Sequence, residues 1–415
     1  MQNFLKNFKG KLKLKRRVIT VLAGAHFFGN PSAKLKIVGV TGTSGKTTTA
    51  TLLYKIATEL GYKAGLIGTV ENIVVKERRP AFITTPSPIP LNKLLNEMAK
   101  KGCEYVFMEV SSHALDQNRV AGLNFTGGIF TNLTQDHFDY HKNFENYFAA
   151  KKKFFTMLPP RAFALTNADS EYGLKMLQGI KANQFSYGFL GNENKVHFHG
   201  EIKKLDSNGL NLLFNNIEIH SKLLGKFNAY NLLAVWSACS LLGFDMPKVN
   251  KILEDIEPPK GRFEHFTSPS GVMVIVDYAH KPDALEKIFS AIKETKDVNG
   301  KIISVLGCGG DRDPLKRPIM GKTCVINSDI AIFTSDNPRS EDPDKIIEEM
   351  KTNLSAEELK KVKTIPNRRE AITQSVKLAQ KWDIILCAGK GHESYQEIKG
   401  IKHHFDDMEE FKKLY

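Results

Sequence analysis

The chain has 415 residues, of which 41% are hydrophobic and 25% charged, with a formal net charge of +14. That length predicts two or three domains of ordinary globular composition, and no apolar run approaches the ~20 residues that span a bilayer. None of the five cysteines (Cys103, Cys239, Cys308, Cys324, Cys387) forms a C-x-x-C pair, so neither a zinc site nor a disulfide framework is indicated, and a reducing cytoplasm fits.

The first 17 residues hold seven Lys/Arg and no acid, and "VITVLAGA" follows. This looks superficially like an export signal; a short basic helix resting on the body, or on an anionic membrane surface, is the expectation instead. Further on the lysines are dispersed, with no zinc-finger or RRM-like pattern. A basic surface, or attraction of small anionic substrates, therefore accounts for the charge better than nucleic-acid binding does.

From residue 35 apolar runs alternate with helical patterns. "LKIVGV" reads as a buried strand, and "KTTTATLLYKIATELG" as a helix stopped by Gly61. "YVFMEV" and "GGIFTNL" are further strands, so a parallel sheet flanked by helices is expected. Residues 195–222 alternate with period two around an Asn208-Gly209 turn and read as a small antiparallel patch. "NAYNLLAVWSACSLLG" reads as a helix. "EDIEPPKGRFEHF", with Pro258-Pro259 and Gly261, breaks the pattern. Beyond it come strand "GVMVIVDY", helix "PDALEKIFSAIK", strands "KIISVLG" and "DIAIFTS", helices "PDKIIEEMK" and "RREAITQSVKLAQK", and strand "DIILCAG". The expected architecture is α/β in two folded domains: a central domain, 35–259, with a parallel sheet and an antiparallel patch, and a C-terminal Rossmann-like domain, 260–415. They follow a short basic segment, 1–34.

Between the first strand and helix lies "VTGTSGKTTT". Gly42, Gly45 and Lys46-Thr47 in strand–loop–helix context form a phosphate-binding loop, although Val40 stands where the usual pattern has its first glycine. Lys46 reaches terminal phosphates, and the Thr47 hydroxyl can ligate Mg²⁺. Export would carry such a loop away from its nucleotide. Glu109 is placed at a strand's C-terminal end, where open α/β sheets hold ligands; it is a candidate Mg²⁺ ligand or a surface residue. Asp136, His137, Asp139 and His141 are a metal site or a polar loop. "GCGGDRDPLKRP", "DNPRSEDP" and "AGKGHES" each follow a strand, so all three belong on one rim. Arg312 and Arg339 could there fork onto carboxylates, or be ordinary exposed arginines.

Taken in order, "GTSGKTTT", "MEVSSHALDQNRV", "TNLTQDHFDYH", "YFAAKKKFF", "GRFEHF", "VDYAHKPDALE", "GCGGDRD", "DNPRSEDP" and "GKGHESYQ" resemble the Mur ligases. Within that family they resemble the branch that adds the third peptide residue, the UDP-N-acetylmuramoyl-tripeptide synthetases. The resemblance runs from "FFGNPS" (residue 27) to residue 415. It implies ATP-dependent amide formation in peptidoglycan precursor synthesis, with a carboxylate of UDP-MurNAc-L-Ala-D-Glu phosphorylated and then attacked by an amine. It further implies that Gly42, Thr43, Ser44, Gly45, Lys46, Thr47 and Thr48 bind ATP, with Asn228, Asn231 and Arg262 on its nucleotide side. Thr47, Glu109, His137 and a CO₂-carbamylated Lys151 are implied around Mg²⁺. Thr84, Thr85, Ser111, Gln117 and Arg119 match positions for the muramoyl-dipeptide. Asp336, Asn337, Pro338 and Arg339 match the variant that selects meso-diaminopimelate, completed by Arg312, Gly389 and Glu393. Lysine bound there would leave Arg339 desolvated and unpaired.

Family members carry an N-terminal domain that grips the uridine diphosphate. Met1 to Lys34 is too short for one, so the expectation is a weak grip, a partner protein that supplies it, or contact from the basic segment. A cytoplasmic monomer is expected, with no nucleic-acid partner. The alternatives are a relative adding L-lysine or extending folates, a non-catalytic scaffold for cell-wall precursors, and a nucleic-acid-binding NTPase.

Overall fold

The computed structural model describes residues 27–190, 196–296 and 299–415. The basic run and "VITVLAGA" therefore lie outside the described residues. The chain divides into two compact units. One comprises Met1–Lys204, Leu210–Lys222 and Phe227–Ile256; the other comprises Leu205–Gly209, Leu223–Lys226 and Glu257–Tyr415.

The first unit begins with β1 (Lys36–Thr41), α1 (Lys46–Glu59), β2 (Ala64–Ile67), β3 (Glu71–Val74), β4 (Glu77–Pro80), α2 (Pro88–Lys100), β5 (Tyr105–Glu109), α3 (Ser112–Asp116) and β6 (Phe125–Phe130). It continues through α4 (Phe138–His141), α5 (Phe144–Thr156), β7 (Phe163–Asn167), α6 (Gly173–Leu177), β8 (Asn183–Gly188), β9 (Phe198–Asp206), β10 (Gly209–Phe214), β11 (Ile217–Ser221), α7 (Lys226–Leu241) and α8 (Met246–Asp255). These strands make one sheet in the order β11-β10-β9-β8-β7-β6-β1-β5-β2-β3-β4. β1 is parallel to both β5 and β6. The chain leaves β1 toward β2 on one side and later returns to β6 on the other, which makes the end of β1 the switch point of the sheet.

The central strands are buried on both faces, as parallel strands under helices must be. Their side chains, with Phe154 and Phe155 of α5, form a continuous core. The antiparallel patch is not separate. β8 pairs parallel with β9, and β10 with β11 antiparallel, so it continues the main sheet. Helix α1 stops as the sequence pattern predicts. Gly61 sits at φ 93°, its N–H donates to Thr58 O, and Tyr62 N–H donates to Ala57 O. Those two bonds cap the helix's last carbonyls. Helix α2 is not legible from the pattern, because Pro88 and Pro90 suggest a loop; both fall in its first turn, where proline costs little.

The second unit comprises β12 (Glu264–Thr267), β13 (Met273–Asp277), α9 (Pro282–Thr295), β14 (Ile302–Leu306), α10 (Lys316–Asn327), β15 (Ile330–Phe333), α11 (Pro343–Lys351) and α12 (Ala356–Leu359). After these come β16 (Val362–Thr364), α13 (Arg368–Leu378), β17 (Ile384–Ala388), β18 (Tyr395–Ile398), β19 (Ile401–His404) and α14 (Asp407–Lys412). Its sheet runs β12-β13-β17-β14-β15-β16, parallel apart from β12, and β18–β19 is a separate hairpin. The parallel register puts the ends of β14, β15 and β17 on one rim, as expected.

Under that rim lies a buried ion pair. Arg368 Nε and Nη2 each lie 2.7 Å from the Asp407 carboxylate, and both side chains are fully buried. Arg368 also donates to Ser335 O and Ala388 O, at the ends of β15 and β17. Arg368→Met strands a buried carboxylate, which costs about 3–5 kcal/mol. The expected result is an early unfolding transition of this unit in a thermal melt, largely reversed by the double change Arg368→Met with Asp407→Leu.

Candidate active site

The loop after β1 closes without side chains where none fits. Gly42 has φ 152°, and a Cβ there would come 1.9 Å from Thr131 Oγ1. Gly45 has φ 84°, and a Cβ there would lie 2.5 Å from Asn231 Oδ1. Gly45 precedes α1 without a side-chain cap, so the helix's first N–H groups form an anion cradle. Val40, in the usual first-glycine position, is fully buried in β1 opposite Glu109 of β5. That register brings the carboxylate beside the loop.

The loop is tied down by groups the sequence pattern does not single out. Thr43 N–H donates to Asn132 O (2.9 Å), and Ser44 N–H donates to Asn132 Oδ1 (3.0 Å). Thr131 Oγ1 donates to Ser44 O (2.6 Å), while Thr43 Oγ1 lies 3.1 Å from the Tyr147 hydroxyl. Lys46 Nζ folds onto Gly42 O (2.9 Å) and Thr43 O (2.8 Å). Buried Lys151, from α5, donates to the same Gly42 carbonyl at 2.7 Å and lies over the Tyr147 ring. Burial, and then the charge of Lys46, hold its ammonium well below the ordinary lysine range.

Glu109 is caged. Its carboxylate accepts from Thr47 Oγ1 (2.9 Å), Thr69 N–H (2.7 Å) and Thr69 Oγ1 (3.0 Å). The same Thr69 hydroxyl lies 3.0 Å from Thr84 Oγ1. Thr69 carries no motif of its own and is found only through this contact. Glu109 and Thr47 together offer hard oxygen donors of the kind Mg²⁺ takes alongside phosphates. Among the described residues no three His, Cys, Asp or Glu side chains converge as a ready metal cage. His137 instead stands in the left-handed region (φ 56°) with Nε2 3.4 Å from Asp136 Oδ2, near the His113 ring. Of the four expected metal residues, Thr47 and Glu109 are thus bonded to each other, Lys151 meets the loop through Gly42, and His137 lies beside the His113 ring and 6.3 Å from the Tyr147 ring, whose hydroxyl meets Thr43 of the loop.

Thr85, Ser111, Gln117 and Arg119 form a linked patch. Thr85 Oγ1 donates to Glu109 O (2.8 Å) and accepts from Ser111 N–H (3.1 Å). Arg119 donates to Thr85 O (2.8 Å) and to Gln117 Oε1 (2.8 and 3.0 Å). Asn228 and Asn231, one turn apart on buried α7, bond each other at 3.0 Å, and Asn231 abuts Gly45. Thr48 is buried in the first turn of α1.

In the second unit, Arg262 lies over the Tyr278 ring, which also faces His392 and His280. Arg262 Nε and His392 Nδ1 are buried with no hydrogen-bond partner among the described residues. Burial brings His392 down to about 3 and His280 to about 4, and raises Asp277 to about 6 despite Arg262. On the rim, Asn337 Nδ2 donates to Glu393 Oε2 (2.7 Å). Gly389 (φ 112°) leaves room for Asp336, whose Oδ2 would be 2.8 Å from a Cβ, and a Cβ at Gly310 would come 2.0 Å from the Pro338 carbonyl oxygen. Burial, then Asp336, raise Glu393. Arg312 is exposed. Arg339 (φ 51°) departs from expectation: even without a ligand it is not unpaired. Its Nη1 donates to Gly310 O (2.6 Å) and its Nε lies 3.6 Å from Glu397 Oε2.

The Mur ligase middle domain matches residues 40–239, and the Mur ligase glutamate ligase domain matches residues 261–391. The UDP-N-acetylmuramoyl-L-alanyl-D-glutamate--2,6-diaminopimelate ligase of Phocaeicola vulgatus is 52% identical over 389 residues, covering 94% of this chain and 80% of that protein. A solved structure of a ligase with the same name is 32% identical, with a TM-score of 0.67, over 92% of this chain and 78% of that one. Folylpolyglutamate synthase of Thermotoga maritima shares the fold, with a TM-score of 0.69 at 16% identity over 91% of this chain and 90% of that one.

Proposed function

The chain belongs to the Mur ligase family, and on that premise we propose that it joins meso-diaminopimelate to UDP-MurNAc-L-Ala-D-Glu at the expense of ATP. The observation that carries the choice of amino acid is the "DNPR" turn, which shares one rim with Glu393 through Asn337.

In this reading the Gly42–Thr48 loop and the head of α1 hold the ATP phosphates, and Lys46 leaves the carbonyls of Gly42 and Thr43 for the terminal phosphate. Asn228, Asn231 and Arg262 hold the nucleotide side. The Thr85–Arg119 patch, with Thr84, orients the acceptor. An acceptor carboxylate oxygen bonds to the γ-phosphorus as the bond to ADP breaks. The amine then attacks the acyl carbon, phosphate leaves, and the nitrogen gives up a proton. Mg²⁺, held by Thr47 and Glu109 with His137 completing the set, would supply charge neutralisation for the phosphates. Lys151, neutral in its buried place, would add to CO₂ with loss of a proton, turning a neutral amine into a carbamate anion that would help compensate the metal's charge. Catalysis is then mainly positioning and charge compensation. Asp336, Asn337 and Arg339, with Arg312, Pro338 and Gly389 shaping the rim, would receive the amino acid, and Glu393 its ammonium. Both substrates are small molecules of the cytoplasm.

The test is turnover with ATP, Mg²⁺, bicarbonate and the UDP-muramoyl-dipeptide against a panel of amino acids. The expected product is one amide and one phosphate per diaminopimelate consumed. No amide, or a preference for lysine, overturns the reading.

A further inference from the structure

Lys390 is fully buried between the two loops that carry the rim. Its ammonium donates to Asn337 Oδ1 (3.3 Å) and to the Tyr395 carbonyl, and lies 3.6 Å from Glu393 Oε2. A lysine ammonium has three donors and no acceptor. Here three protein acceptors surround it, so none is left over for a ligand.

We propose that Lys390 is a positioning residue for the amino donor, setting Asn337 and Glu393 without touching the substrate. The two ends of the Asn337 amide are interchangeable in shape but opposite in hydrogen bonding. Its Oδ1 meets two donors, Lys390 Nζ and Glu397 N–H (2.8 Å). Its Nδ2 is thereby aimed at Glu393 Oε2 (2.7 Å). Lys390 also lies beside a carboxylate that has a second carboxylate, Asp336, as a neighbour, together with the Tyr278 phenol. Without the ammonium, Asn337 loses one of the two donors that orient it, and Glu393 loses the cation that favours its charged form. A buried lysine is seldom retained unless paired, and the groups it pairs with here are two of those proposed to receive the amino acid.

The inference rests on the function proposed above, so wild-type turnover with diaminopimelate is the control; its failure sinks that function and not the geometry. Given that control, Lys390→Met and Lys390→Gln are expected to raise KM for diaminopimelate at least about tenfold. The KM values for ATP and the dipeptide should stay within about twofold. Glu393 should then hold its proton to higher pH, so the KM for diaminopimelate should begin to climb at a higher pH than in the wild type as pH falls. Lys390→Arg, which keeps the cation, should recover most of the loss. An unchanged diaminopimelate KM, or an equal rise in all three KM values, overturns the proposal. Should both neutral variants fail to fold, Asn337→Asp, which keeps the side chain's shape but removes its donor to Glu393, is expected to raise the diaminopimelate KM alone, and an unmoved KM there overturns the proposal.

Discussion

Lys151→Ala is expected to lower kcat by about 10²–10³-fold, the range for losing one preorganised charge-stabilising group, while KM for ATP changes little. Two lysines point at one oxygen, Lys46 at 2.9 Å and Lys151 at 2.7 Å from Gly42 O. Two like charges so close, one of them fully desolvated, cannot both persist at low cost. Lys151 is the one that yields, through burial first and Lys46 second. A neutral amine is the form that adds to CO₂. The resulting anion relieves the conflict with Lys46 rather than adding to it. The sign with pH follows: as pH falls through the depressed pKa the amine protonates, the carbamate is lost, and activity falls. Stripping bicarbonate from the wild type should therefore mimic the substitution, and excess chloride or bicarbonate should partly restore the alanine variant. Full activity in Lys151→Ala, measured by phosphate release with dipeptide and diaminopimelate, would refute the assignment.

Arg339→Ala is expected to reduce kcat/KM for diaminopimelate by roughly 10–150-fold and to bring the diaminopimelate-to-lysine ratio close to one. Motif matching alone suggests a steeper penalty, because lysine would leave a bare buried guanidinium, at a cost of ~3–5 kcal/mol. The structure softens it. Gly310 O and Glu397 already engage Arg339, whose side chain is 19% exposed. What remains is one hydrogen bond to a charged group, about 1.5–3 kcal/mol, and each 1.4 kcal/mol is a factor of ten. A competition assay that reads the ratio of the two amides checks it, and a ratio unmoved by the substitution counts against Arg339 as the selector.

The amino-acid order carried much of this molecule by itself. The strand–loop–helix around Gly42–Thr48, the stop at Gly61 and the rim loops after β14, β15 and β17 are short-range features. Turn conformations, caps and periodicity are decided within a few residues of one another, so they can be read along the chain. Helix α2 escaped because its prolines, harmless in a first turn, suggest a break anywhere else. The antiparallel patch was legible as strands but not as part of the main sheet, since edge pairing leaves no mark in the alternation of side chains.

Only the tertiary structure decided which residues serve the site together. Lys151 meets Gly42 across 109 positions of sequence, and Thr69 meets Glu109 across 40. Neither separation follows from spacing; the first follows from β6, which leads toward α5, lying beside β1, and the second from β2 pairing with β5. The same holds for Lys390 against Asn337 and for Arg368 against Asp407. A buried charge must find its partner wherever the strand order sets it, and strand order comes from packing the whole sheet, which no local stretch specifies.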